Sequence, residues 1–150
     1  MKLPFLRYLP GLGSLPIRQV VRGTGSTSGG PAEAALNYLL AELPELLLAA
    51  VLDLPSGQLL ATYAAERAYQ PSLLAPSVAA VVQQAHLLGQ GQANEEPVEV
   101  LLTLGSQLHL VRLRPGGRQA LFLAVGSHDT NLALLRQLAQ QAVQLLEETA

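Results

Sequence analysis

The sequence predicts an α+β domain: one five-stranded antiparallel sheet with helices on both faces, in the order α-β-β-α-β-β-β-α. Three observations lead there. First, residues 97–125 (PVEVLLTLGSQLHLVRLRPGGRQALFLAV) divide into three short apolar runs at Gly105-Ser106 and at Pro115-Gly116-Gly117. Glycine supplies positive φ and proline presets a turn entry, so the stretch reads as a meander of three strands. Second, in Ala120–Val125 and in Glu45–Asp53 both alternating sets of residues are apolar. Strands of that kind are covered on both sides, which places them centrally with helices above and below. Third, three other stretches carry apolar residues at helical spacing.

Taken in order, the first thirty residues stand apart. Leu-Pro recurs at Leu3-Pro4, Leu9-Pro10 and Leu15-Pro16, and prolines that close together forbid a continuous helix. The prolines and Arg7 also break any signal-peptide core, so none is read here. The run from Gly23 to Gly30 (GTGSTSGG) has the composition of a flexible linker. Residues 1–30 therefore read as a basic arm and residues 31–150 as the folded domain.

Pro31 suits the first turn of a helix. Leu36, Leu39, Leu40 and Leu43 then form one apolar face, and Pro44 stops the helix. Glu45–Asp53 follows as a strand, Pro55-Ser56-Gly57 turns the chain, and Leu59–Tyr63 returns as a second strand. A second helix is expected from near Ser72 or Pro76 to about Leu88, with Leu74, Val78, Val81, Ala85 and Leu88 along one side and Gly89 and Gly91 ending it. After the meander, Asp129, Thr130 and Asn131 offer helix-capping chemistry for a third helix from about Leu132 to Glu147. Its buried stripe reads as Leu135, Leu138, Ala142 and Leu145. Polar residues in the second strand (Thr62, Tyr63) and third strand (Glu99, Thr103) suit sheet edges.

Composition bounds the function. No cysteine is present, so a disulfide framework and a thiolate metal site are excluded. Hydrophobic residues make up 49% and charged residues 13%, against about 25% charged in an average domain. A surface so poor in charge points to an oligomer that hides apolar area. The third strand, Val98–Leu104, strengthens this: an apolar edge is an aggregation hazard unless something pairs with it, and a second copy would. The net charge is −2, distributed as +4 over residues 1–30 (Lys2, Arg7, Arg18, Arg22) and −6 over the remainder. That balance and the scarcity of aromatics argue against nucleic acid.

The pattern resembles the Roadblock/dynein light chain family. The residues that carry the resemblance are an opening helix ending in Leu43-Pro44, a strand, an Asp-x-x-x-Gly turn at Asp53–Gly57, and a strand ending Ala61-Thr62-Tyr63. An Ala-rich middle helix (Ser77–Leu88), the meander, and a closing helix with Leu134-Leu135-Arg136 complete it. The similarity spans about residues 31–150. It implies a profilin-like fold and a small domain, non-enzymatic on its own, that dimerises by joining two sheets edge to edge with the middle helices packed across the seam. The corresponding interface here is Val78, Val81, Val82, Ala85, Val98, Val100, Leu102 and Leu104. Many such domains bind Ras-like small GTPases as regulators or scaffolds, and a bacterial branch activates a polarity or gliding GTPase. The resemblance therefore implies a cytoplasmic homodimer with a Ras-like small GTPase as partner. The Leu-Pro arm is not part of the pattern.

No catalytic constellation competes with this reading. His86, His109 and His128 are scattered without metal-ligand spacing. Ser127-His128-Asp129 are adjacent, whereas triad geometry draws on separated chain positions. The glycine runs lack the Lys-Ser/Thr of a phosphate-binding loop. No cofactor is expected. Arg112, Arg114 and Arg118 gather around the Pro115 turn and, with Arg7, Arg18 and Arg22 of the arm, are the candidate partner contacts. The alternative function is an adaptor recruited through the basic arm to an anionic membrane surface or an acidic protein, without a GTPase. A sensor or enzyme on a related layout has little support, since no paired carboxylates share a face.

Overall fold

The computed structural model describes residues 20–23, 30–114, 116–128 and 130–148. Its elements are β1 (Val21–Arg22), α1 (Pro31–Glu42), β2 (Leu46–Asp53), β3 (Gln58–Ala64), α2 (Pro71–Gln90), β4 (Glu99–Thr103), β5 (Gln107–Leu113), β6 (Gln119–Gly126) and α3 (Leu132–Glu148). The five strands expected from the sequence form one antiparallel sheet, and the two-residue β1 adds to its edge, giving the order β1-β3-β2-β6-β5-β4. The two strands with apolar residues on both faces, β2 and β6, lie together in the middle. They pair from Leu46↔Val125 to Asp53↔Gln119.

The sheet separates two cores, because alternate residues of each strand point to opposite faces. On one face Val51, Leu121, Leu123 and Val125 meet Leu36 and Leu39 of α1 and Leu135, Ala139 and Leu146 of α3. On the other, Leu48, Leu52, Val111, Phe122 and Ala124 meet Ala75, Val78 and Val82 of α2. Helices thus cover both faces.

The punctuation residues act largely as their chemistry dictates. Pro31 begins α1 behind Gly30. Leu43 N–H closes the helix on the Leu39 carbonyl at 2.8 Å. In the β2–β3 turn the Asp53 carboxylate accepts from Ser56 N–H at 3.2 Å. Gly57, at φ +73°, donates its N–H to the Asp53 carbonyl, so an L side chain there would be strained. Gly116 likewise takes φ +63° in the β5–β6 turn. Gly105, expected to need positive φ, does not adopt it. That turn is closed instead by Leu104 N–H donating to the Gln107 carbonyl at 2.8 Å. At α3 the cap is Asn131, whose Oδ1 accepts from Leu134 N–H at 3.2 Å; Asp129 lies outside the described residues.

Three further details differ from the expectation. α2 starts at Pro71 and runs through Pro76 to Gln90. Pro76 falls near the helix start, where the missing N–H costs one early bond rather than a mid-helix one. The side of α2 that meets the sheet is Ala75–Val78–Val82, while Leu88 is 66% exposed. And β3 is not an open edge, because β1 covers it.

Candidate functional site: the β4 edge and the α2 groove

β4 is the last strand of the sheet and pairs only with β5, from Glu99↔Arg112 to Thr103↔Leu108. Its outer backbone groups meet no other strand among the described residues. Val98, Val100, Leu102 and Leu104 recur at every second position, so they share the face that looks toward α2. Val100 packs against the α2-side core, whereas Val98, Leu102 and Leu104 are 40 to 48% exposed. Between this strand and the C-terminal half of α2 lies an open groove of about 700 Å³, lined by Val81, Ala85, Leu88, Pro97 and Val100 among others. Apolar strand edge and apolar groove are therefore continuous, and together they leave a larger greasy surface than scattered side chains would.

The expected interface residues divide. Val78 and Val82 are buried in the domain's own core, where they hold α2 to the sheet. Val81 and Ala85 line the groove, and Val98, Leu102 and Leu104 are exposed along the edge. α2 thus carries two neighbouring apolar stripes, one for the sheet and one left over. Sequence reasoning merged them.

The arginines do not gather into one patch. Arg112 turns to the α3 face and pairs with Glu99 at 3.5 Å, and Arg136 of α3 reaches the same carboxylate at 2.8 Å. Arg114 stands 4.0 Å from Glu147, also of α3. Arg118 is exposed and lines a smaller cavity against α2, with Gln83 and His86. Arg22 contributes its backbone to β1; Arg7 and Arg18 lie outside the described residues. The Glu99 side chain is only 15% exposed and serves two arginines. Its loss leaves the largely covered Arg112 unpaired. Glu99→Gln is expected to lower stability by about 1–2 kcal/mol, between the exposed-pair and buried-pair limits. Arg136→Ala, at a half-exposed site, should cost less; parallel thermal melts check the order.

His109 sits on β5 opposite Leu102, with its ring edge-on to Phe122 at 5.3 Å between centroids. Its Nε2 lies 2.8 Å from Gln107 Oε1. Burial disfavours the charged ring and lowers its pKa from the ordinary 6.5. The folded chain therefore resists a proton that the unfolded chain accepts. The stability tied to His109 is complete above about pH 6.5 and declines as pH falls below it, until the folded ring itself titrates. Urea midpoints taken near pH 7.5 and pH 5.5 should differ less in a His109→Gln variant than in the wild type. His86 and Glu96 approach to 3.7 Å at the groove's rim, and among the described residues no cluster of His, Asp or Glu could hold a metal ion.

No family model matches the sequence, and no curated protein matches it. Solved structures do match the fold. Myxococcus xanthus MglB superposes with a TM-score of 0.70 at 17% identity, over 79% of this chain and 86% of that one. An MglB with a tetrameric arrangement gives 0.65 at 22% identity, over 81% and 93%. A Roadblock/LC7 domain from Streptomyces avermitilis gives 0.58 at 19% identity, over 75% and 91%. Identities this low speak to architecture, and on that ground the chain has the Roadblock/LC7 fold.

Proposed function

We propose that the chain is a homodimeric interaction module, without catalysis of its own, that binds a Ras-like small GTPase and regulates or scaffolds it. The observation that carries this is the unpaired apolar β4 edge running into the α2 groove. Such a surface suits edge-to-edge pairing with a second copy, which satisfies the free backbone groups and buries Leu102 and its neighbours in one step. The Roadblock/LC7 fold supports the reading, as does the self-assembly named for one structural neighbour, the MglB with a tetrameric arrangement. The groove beside β4 adds further, mainly apolar, surface for such a contact.

Affinity capture from native lysate tests the GTPase half. The tagged chain is incubated once with a non-hydrolysable GTP analogue and once with GDP, and the captured proteins are identified by mass spectrometry. A regulator enriches a small GTPase in one nucleotide state, since only differential binding can shift an equilibrium. A scaffold captures it in both. Absence of any GTPase from both captures contradicts the proposal.

A further inference from the structure

The sheet's two edges are treated differently. Among the described residues β4 is open, but β3 is covered by the chain's own segment from Val20 to Gly23. Val21 faces Thr62 and Arg22 faces Ala61 across the ladder. Gly23 N–H donates to the Leu60 carbonyl at 2.9 Å. Val20, only 8% exposed, joins the core cluster that contains Ala61, Tyr63 and Leu36. At Gly23 the backbones approach so closely that a Cβ would stand 1.7 Å from the Leu59 carbonyl oxygen. No ordinary side chain fits there without moving the strand.

We propose that the outer edge of β3 is a strand-docking site whose resident ligand is Val20–Gly23, and that this occupation closes the edge to other copies of the chain. The reason is symmetry. A sheet with two open edges can pair head to tail without limit, one copy's β3 against the next copy's β4, and such heterologous contacts grow into filaments. With β3 covered, the outermost strand on that side is the two-residue β1, too short to template a partner strand, which leaves β4 with β4, an isologous contact that ends at two copies. The burial of Val20 and the glycine at the point of closest approach both make this one segment the fitting occupant. The inference goes beyond the proposed function, sharing with it only the β4 seam.

The test uses the full chain. Gly23→Val places a side chain against the Leu59 backbone and should eject the segment. Val21→Thr changes a side chain that is 58% exposed and should leave it docked. Hydrogen exchange is read over residues 20–23, with β2 and β6 as the control for folding. In the wild type and in Val21→Thr the amides of residues 21 and 23, which face β3, should exchange slowly; in Gly23→Val both should exchange about tenfold faster or more. Light scattering should then show assemblies that grow with concentration only for Gly23→Val, and a peptide of residues 17–24 added in excess should reverse the growth. Should Gly23→Val lose protection in β2 and β6, Val21→Pro replaces it. Val21 N–H points to the same side as that of Gly23, two residues on, so the proline removes a donor aimed at β3.

Free-chain exchange of residues 20–23 in the wild type overturns the proposal. So does an ejected segment with no change in assembly size. A wild type that is monomeric at every concentration contradicts the β4 seam instead, and exchange over residues 20–23 then decides the docked strand on its own.

Discussion

A Leu102→Lys variant is expected to be a monomer at micromolar concentrations where the wild type is a dimer. Leu102 is 40% exposed on the edge strand, so the isolated domain accepts a lysine there at little cost, surface substitutions being nearly neutral. Lysine on an edge strand is also a device by which natural sheets prevent pairing. In the proposed seam, two copies would each bring an ammonium against a face made largely of Val and Leu side chains and against each other across the two-fold axis. The expected weakening is about 100-fold or more, equivalent to roughly 3 kcal/mol. Sedimentation equilibrium measures the dissociation constant, and the thermal midpoint extrapolated to low concentration checks that the fold is intact. An unchanged constant places the seam elsewhere.

Leu123→Ala should have the opposite profile, with stability lost and the self-association surface untouched. Leu123 is fully buried on β6, in the core that α1 and α3 build on one side of the sheet. It sits opposite Ala49 and Leu110 in the ladders on either side. Ala49 is too small to fill a void, and the central strands are held by neighbours on both sides, so the site cannot collapse easily. A cost of about 2–5 kcal/mol follows from the lost transfer energy and the cavity left behind. Urea unfolding reads it directly. The same truncation at Leu102 should cost well under half as much, because its side chain is already partly in water.

The contrast between these residues also marks what the sequence reveals. Leu123 lies in a run apolar on both alternating sets, and the only place for such a strand is the middle of a covered sheet. The central placement of β2 and β6 was legible for that reason, and the polar Glu99 and Thr103 marked β4 as an edge. The two turns with positive φ at Gly57 and Gly116 were legible too, although Gly105 shows that a glycine between strands need not use its freedom. Less legible was the division of α2. Val78 and Val81 are three residues apart and fall within one broad helical stripe, yet the first packs on the sheet and the second faces the groove. Helical spacing defines a stripe but not the width of what covers it. The arginines near the Pro115 turn are close in sequence, but strand alternation and the turn send Arg112 and Arg114 to α3 and Arg118 toward α2. Val20–Gly23 was missed because proline and glycine dominate its surroundings. Its signal was small: two β-branched residues in a row, then an arginine and a glycine. Only the partner strand, forty residues away, gives that pattern a meaning.

The central claim, that two copies join through β4, is tested most directly by a distance. The chain has no cysteine, so single-cysteine variants carry a spin label at one chosen place. Five strand spacings separate β1 from β4, about 24 Å in all. Two sheets joined at β4 would bring labels at Leu102→Cys within about 20 Å of each other, label arms included, and leave labels at Val21→Cys roughly 50 Å apart. Dipolar spectroscopy on the dimer should give the short distance for the first variant and the long one for the second. A short distance at Val21→Cys with a long one at Leu102→Cys would contradict the account.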